Sequence, residues 1–216
     1  MNKSMVIKYL LFSFFILVLF IACNKSPEKT REEARIKLGQ MGVKYSEEEF
    51  LDRIKDNDVI AVKLFIAAGM DVNTNIGNGF TVLMYAAENG YLEIAKLLIE
   101  NGADINAHED EDIDAPIDND TSGETALIKA VLENNLKMVK LLVENGADVN
   151  AKAYKEEAPV LLMAATGDNL EIVKFLIKNG ADVNGTNRFG ESILMLADFP
   201  GNEKTVKLLK EAGAKE

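Results

Sequence analysis

The 216-residue sequence predicts an all-α solenoid of about five stacked helix pairs. Three observations carry that reading. The string Gly-x-Asp-x-Asn recurs at Gly69–Asn73, Gly102–Asn106, Gly146–Asn150 and Gly180–Asn184, and a truncated copy closes the chain at Gly213-Ala214. Successive glycines stand 33, 44, 34 and 33 residues apart, and self-similarity at such a period signals stacked supersecondary units. Ahead of the last four glycines run apolar residues at one-face helical spacing: Ile94/Ala95/Leu97/Leu98, Met138/Val139/Leu141/Leu142, Ile172/Val173/Phe175/Leu176 and Val206/Leu208/Leu209.

The chain opens with a short basic region, MNKSMVIK, and then a 14-residue apolar run from Tyr9 to Ala22. A helix of that length reaches about 21 Å, short of the ~30 Å hydrocarbon core. Length and flanking charge therefore fit a secretory signal better than a spanning anchor. The run ends in Leu19-Phe20-Ile21-Ala22-Cys23 and resembles a bacterial lipoprotein signal over residues 1–22, in which a small residue precedes the cysteine that is lipidated and becomes the new N-terminus. Phe20 stands where leucine is usual. The resemblance implies lipid on Cys23, with an uncleaved anchor and an incidental cysteine as the alternative. Two or three acyl chains, at about 0.8 kcal/mol per buried CH₂, hold a protein on a membrane durably.

Residues 23–45 turn polar and charged and read as a tether, with a short helix near Glu32 to Met41 that stops at Gly42. Repeat units then follow at about 46–74, 75–107, 108–151, 152–185 and 186–216. The first opens on Ser46-Glu-Glu-Glu49, which has the pattern of a capping box. Twelve residues before each repeat glycine stands Asn57, Gly90, Asn134, Asp168 or Gly201, types that tolerate the positive φ of a tight helix–helix turn. The first helices read Thr81–Ala87, Thr125–Val131, Pro159–Ala165 and Ser192–Ala197, with leucine third and alanine sixth. The last unit has a lysine-rich outer helix (Lys204, Lys207, Lys210), as a terminal cap facing water requires.

Over residues 46–216 the chain thus resembles the ankyrin-repeat family, whose unit is a hairpin turn followed by two antiparallel helices. The family's Thr-Pro-Leu-His keeps threonine in two copies, and its histidine place holds Met84, Ile128, Leu162 and Met195. Apolar packing is expected to replace the histidine's hydrogen bonds. Repeat four has Glu157 in place of the glycine before its first helix, which leaves its hairpin open.

The 44-residue interval places about eleven extra residues in an acidic loop, His108 to Ser122. Within it Asp118, Asp120 and Ser122, followed by Gly123, copy the start of a calcium loop. The twelfth place, where a bidentate glutamate belongs, holds Lys129. A solvated acidic loop offering Glu109, Asp110 and Asp112 to a basic partner is the preferred reading, with His108 exposed and not a ligand.

Composition narrows function. Net charge is −11, and near −13 once Lys3 and Lys8 leave with the signal. Such a surface repels phosphate backbones and disfavours nucleic acid. One histidine and one cysteine exclude an imidazole–thiolate metal cluster and leave nucleophilic catalysis without its usual base. The sequence therefore predicts a cofactor-free monomer that binds another protein, not an enzyme. Phe80, Tyr154 and Phe189 fall on hairpins and Tyr85 on a first helix, where aromatics serve as interface anchors. Phe80 and Phe189 equally suit the shielding of hairpin ends. An envelope adaptor, an inhibitor or immunity-type protein that occludes a secreted toxin or enzyme, and a structural spacer remain as roles.

Overall fold

The computed structural model describes residues 26–109, 123–153, 157–167 and 169–215. The predicted signal segment and Cys23, the insertion residues Asp110, Asp112, Asp118, Asp120 and Ser122, Tyr154 and the turn residue Asp168 lie outside the described residues.

A polar helix comes first, α1 (Pro27–Gln40), with Ser26 accepting from Lys29 N and proline in the first turn. Five helix pairs follow: α2 (Glu47–Lys55) with α3 (Val59–Ala67), α4 (Val82–Glu88) with α5 (Leu92–Glu100), α6 (Ala126–Leu132) with α7 (Leu136–Glu144), α8 (Val160–Thr166) with α9 (Leu170–Lys178), and α10 (Ile193–Ala197) with α11 (Glu203–Glu211). Inner helices α2, α4, α6, α8 and α10 pack on one another in series, and outer helices α3, α5, α7, α9 and α11 form a second row. The interior is therefore one elongated core that crosses every repeat boundary. The predicted all-α solenoid is the architecture observed.

Turn chemistry sets the period. Asn57, Gly90, Asn134 and Gly201 all hold positive φ between paired helices, and Gly69, Gly102, Gly146, Gly180 and Gly213 adopt φ between +90° and +99° after the outer helices. At that φ a Cβ is penalised, so glycine stops the helix with little strain. Ahead of each later pair the backbone forms one recurring hairpin, bridged Asn75 to Thr81, His108 to Thr125, Lys152 to Pro159 (strands β1, Lys152–Ala153, and β2, Ala158–Pro159) and Thr186 to Ser192. Repeat four thus keeps its hairpin. Glu157 adopts φ +52° where the other repeats have Gly79, Gly123 and Gly190.

Packing explains the sequence positions in the inner helices. In α4, α6, α8 and α10, Leu83, Leu127, Leu161 and Leu194, third counting from the cap residues Thr81, Thr125, Pro159 and Ser192, are at most 4% exposed, and Ala86, Ala130, Ala164 and Ala197, sixth, are fully buried. Small side chains there let successive inner helices approach closely. Met84, Ile128 and Leu162 are buried in the place of the family's histidine, whereas Met195, in the fifth pair, is 64% exposed.

The repeated Asp-x-Asn is a staple between units. Each asparagine Oδ1 accepts a backbone N–H from the next repeat: Asn73 from Asp104 (2.8 Å), Asn106 from Asp148 (2.9 Å), Asn150 from Asp182 (2.8 Å) and Asn184 from Lys215 (2.9 Å). The aspartate two residues earlier accepts the asparagine's own N–H and fixes the turn.

Two expectations need correction. Ser46 accepts from Glu49 N, but the Glu49 carboxylate pairs with Arg53 at 2.9 Å, so only half of the capping box forms. More consequentially, residues 27–40 are not a free tether. Helix α1 lies on α3 as the first member of the outer row and buries Ala34 and Leu38. Val43 N donates to Leu38 O after Gly42, as Met70 N does to Phe65 O after Gly69 and Ala103 N to Leu98 O after Gly102. Helix α1 is therefore half a repeat that caps the stack.

Candidate functional site

The inner face of repeats two and three gathers the densest chemistry among the described residues. Inner helix α4 carries Tyr85 half-buried, with its ring edge-on to Phe80 (centroids 6.4 Å apart) and to Tyr91 (6.2 Å). The Tyr91 hydroxyl donates to Lys55 O at 3.2 Å. Phe80 and Tyr85 are thus partly engaged in an aromatic stripe running along repeat two, with part of each ring left accessible.

Beside the stripe, α6 places Lys129 at the position in its repeat that Tyr85 holds in repeat two. Its side chain is only 7% exposed and sits 5.0 Å from the Phe80 ring centroid. The ammonium pairs with Glu124, with Glu109 at 3.1 Å, and more distantly with Glu88 at 3.9 Å. Burial alone lowers the lysine pKa; hydrogen bonding and attraction from Glu124, then Glu109, overcome it and hold the ammonium above the ordinary lysine value. Glu109 and Glu124 also form the neck of the acidic insertion, joined by Glu109 N to Glu124 O and Gly123 N to Glu109 O, each 3.1 Å. Three carboxylates surround one cation, two of them buried. Glu109 Oε2 has no hydrogen-bond partner among the described residues.

Glu109 therefore differs from expectation: grouped in the sequence with a solvated acidic loop, it is 6% exposed and turned inward onto Lys129. An isolated lysine in the apolar helix Ala-Leu-Ile-Lys-Ala-Val-Leu was the available signal, because a buried ammonium requires carboxylate partners. His108 is exposed at the same neck, with Nδ1 3.3 Å from Glu109 O. Phe189 is 65% exposed at the tip of the last hairpin, with the Arg188 guanidinium 5.3 Å from its ring centroid. Phe189 is separate from the Phe80–Tyr85 stripe, on a hairpin three repeats away. No group of three or more His, Cys, Asp or Glu is arranged to hold a metal ion among the described residues, and none of the described helices is long and apolar enough to cross a membrane.

Comparison with known proteins agrees with the geometry. The model of the family described as "Ankyrin repeats (3 copies)" matches residues 54–153 and 154–216. Myotrophin of Xenopus tropicalis is 39% identical over 57 residues, covering 26% of this chain and 48% of its own. The ankyrin repeat proteins FPV222 and FPV018 of Fowlpox virus are 32% identical over 68 residues and 39% identical over 59. The chain spans about half the length of the myotrophin and under a tenth of either viral protein. With most of its length matched by the repeat family, five helix pairs in series and a hairpin ahead of each of the last four, the chain belongs to the ankyrin-repeat family, whose members are protein–protein interaction modules.

Proposed function

We propose that this protein is a lipid-tethered adaptor of the bacterial cell envelope, which docks another protein, basic in character, on the inner face of repeats two and three. The single observation that carries the docking reading is the constellation of Tyr85, Phe80 and Glu88 around Lys129, where partly accessible rings lie beside an excess of carboxylate. A partner's arginine or lysine gains cation–π contact and charge pairing at one place there. The signal-like segment ending at Cys23 supports the tether. Occlusion of a basic toxin or enzyme is the second reading, supported by the same carboxylate excess.

Cross-linked capture from intact cells tests the docking role. Wild type is expected to recover a discrete partner that Tyr85→Ala loses, while the thermal transition of the variant shifts only slightly. Equal recovery by Tyr85→Ala contradicts the site. A captured toxin or enzyme that is inactive in the complex favours occlusion; a partner that keeps its activity when bound favours the adaptor. Incorporation of an alkyne fatty acid, abolished by Cys23→Ala, checks the tether.

A further inference from the structure

The stack's capped end carries a groove between α1 and α3 of about 720 Å³, lined by Lys37, Met41, Ile60, Lys63, Leu64 and Ala67, with little polar surface. Ile60 is 69% exposed and Met41 47%, while Ile36, on the outer side of α1, is 51% exposed. Isolated exposed apolar residues need no explanation, but three on one capped end beside an apolar groove do.

Charge and the position of Cys23 together narrow the occupant. Residues 26–67 hold 8 basic and 9 acidic side chains and are near neutral, whereas residues 68–124 hold 1 basic and 13 acidic and carry −12. Lys37 and Lys63 flank the groove, and the acidic groups nearest in sequence are accounted for: Asp58 accepts Ala61 N as the α3 cap, and Glu33 has a partner of its own. The capped end, with its two lysines beside the groove, is compatible with an anionic surface, which repels the acidic second repeat and insertion. Sequence distance adds a constraint. Only three residues separate Cys23 from Pro27, where α1 begins, and about 3.3 Å per residue lets so short a link span little more than 10 Å.

We infer that the α1–α3 groove is a membrane-docking surface: Ile60 and Met41 enter the headgroup region of an anionic bilayer, Lys37 and Lys63 meet lipid phosphates, and the later repeats extend away from it. This rests on the lipid-tether reading of Cys23 and adds to it an orientation of the inner face towards solvent. Apolar insertion combined with interfacial lysines is the chemistry of peripheral membrane binding.

The test uses the intact chain from a lipidating host, reconstituted into vesicles of zwitterionic lipid containing anionic phosphatidylglycerol. Lipidated Cys23 is unreactive, so Ile60→Cys and, separately, Leu132→Cys each accept a single nitroxide. Accessibility to oxygen relative to a water-soluble nickel chelate should be several-fold higher at position 60 than at position 132. The contrast should collapse when Lys37→Glu and Lys63→Glu are added, with circular dichroism unchanged. Equal, fully aqueous accessibility at both positions in vesicle-bound protein overturns the docking surface and leaves the tether intact. Protein that does not float with the vesicles refutes the tether itself. Insertion at 60 that persists in the lysine variant rules out the electrostatic half of the inference.

Discussion

Glu157 holds a left-handed backbone that three neighbouring repeats assign to glycine, and a Cβ at φ +52° costs roughly 1 kcal/mol. Its ion pair with Lys152 at 3.7 Å is largely exposed and offsets little of that. Glu157→Gly is therefore expected to be neutral to stabilising by up to about 1 kcal/mol, and Glu157→Val to be destabilising; urea unfolding of both variants decides. Lys129 is the opposite case. Lys129→Met leaves the Glu109 and Glu124 carboxylates buried without a cation, and breaking a buried pair in this way costs about 3 kcal/mol. Because the folded ammonium is held above 10.5, what Lys129 contributes is complete below the ordinary lysine value and is lost as pH rises through the raised one. The stability difference between wild type and Lys129→Met should be level from pH 7 to 9 and shrink in strongly alkaline solution. A difference that shrinks instead towards neutral pH contradicts the assigned charge state.

At the scale of elements, the turn positions were legible because each answers to one backbone torsion. Asn57, Gly90, Asn134 and Gly201 carry positive φ, as their residue types require, and leucine and alanine at fixed places mark the buried stripe. Three features were not legible. Helix α1 escapes the period because Gly42 and Gly69 stand 27 residues apart, and its surface is too charged to announce Ala34 and Leu38 as a packing stripe. The asparagine staple depends on which backbone N–H lies across the repeat boundary, which recurrence alone does not reveal. Glu109 looked like loop because its neighbours in sequence are acidic, whereas its burial depends on Lys129, twenty residues on. If α1 is a true half-repeat, Leu38→Ala should cost about 3 kcal/mol, as a core truncation does, and amide exchange in α3 should quicken. A change below about 0.5 kcal/mol, the range of surface substitutions, would falsify that placement.

Across the whole molecule, one elongated core capped at its first end by α1 leaves two faces free for different tasks. Inner helices offer the aromatic stripe and the carboxylates around Lys129, while outer helices α5, α7 and α9 bury one side on the inner row and turn Lys96, Lys140 and Lys174 to solvent. The negative charge is concentrated in residues 68–124, which hold 1 basic and 13 acidic side chains, between two near-neutral ends. On the proposed function, partner recognition resides on the inner face, and photo-cross-linking in living cells decides it. A benzophenone amino acid at Tyr85 should yield a discrete adduct, and the same group at Lys140 on the outer face should yield none. Adducts from position 140 with none from position 85 would place the partner on the outer row and contradict the account.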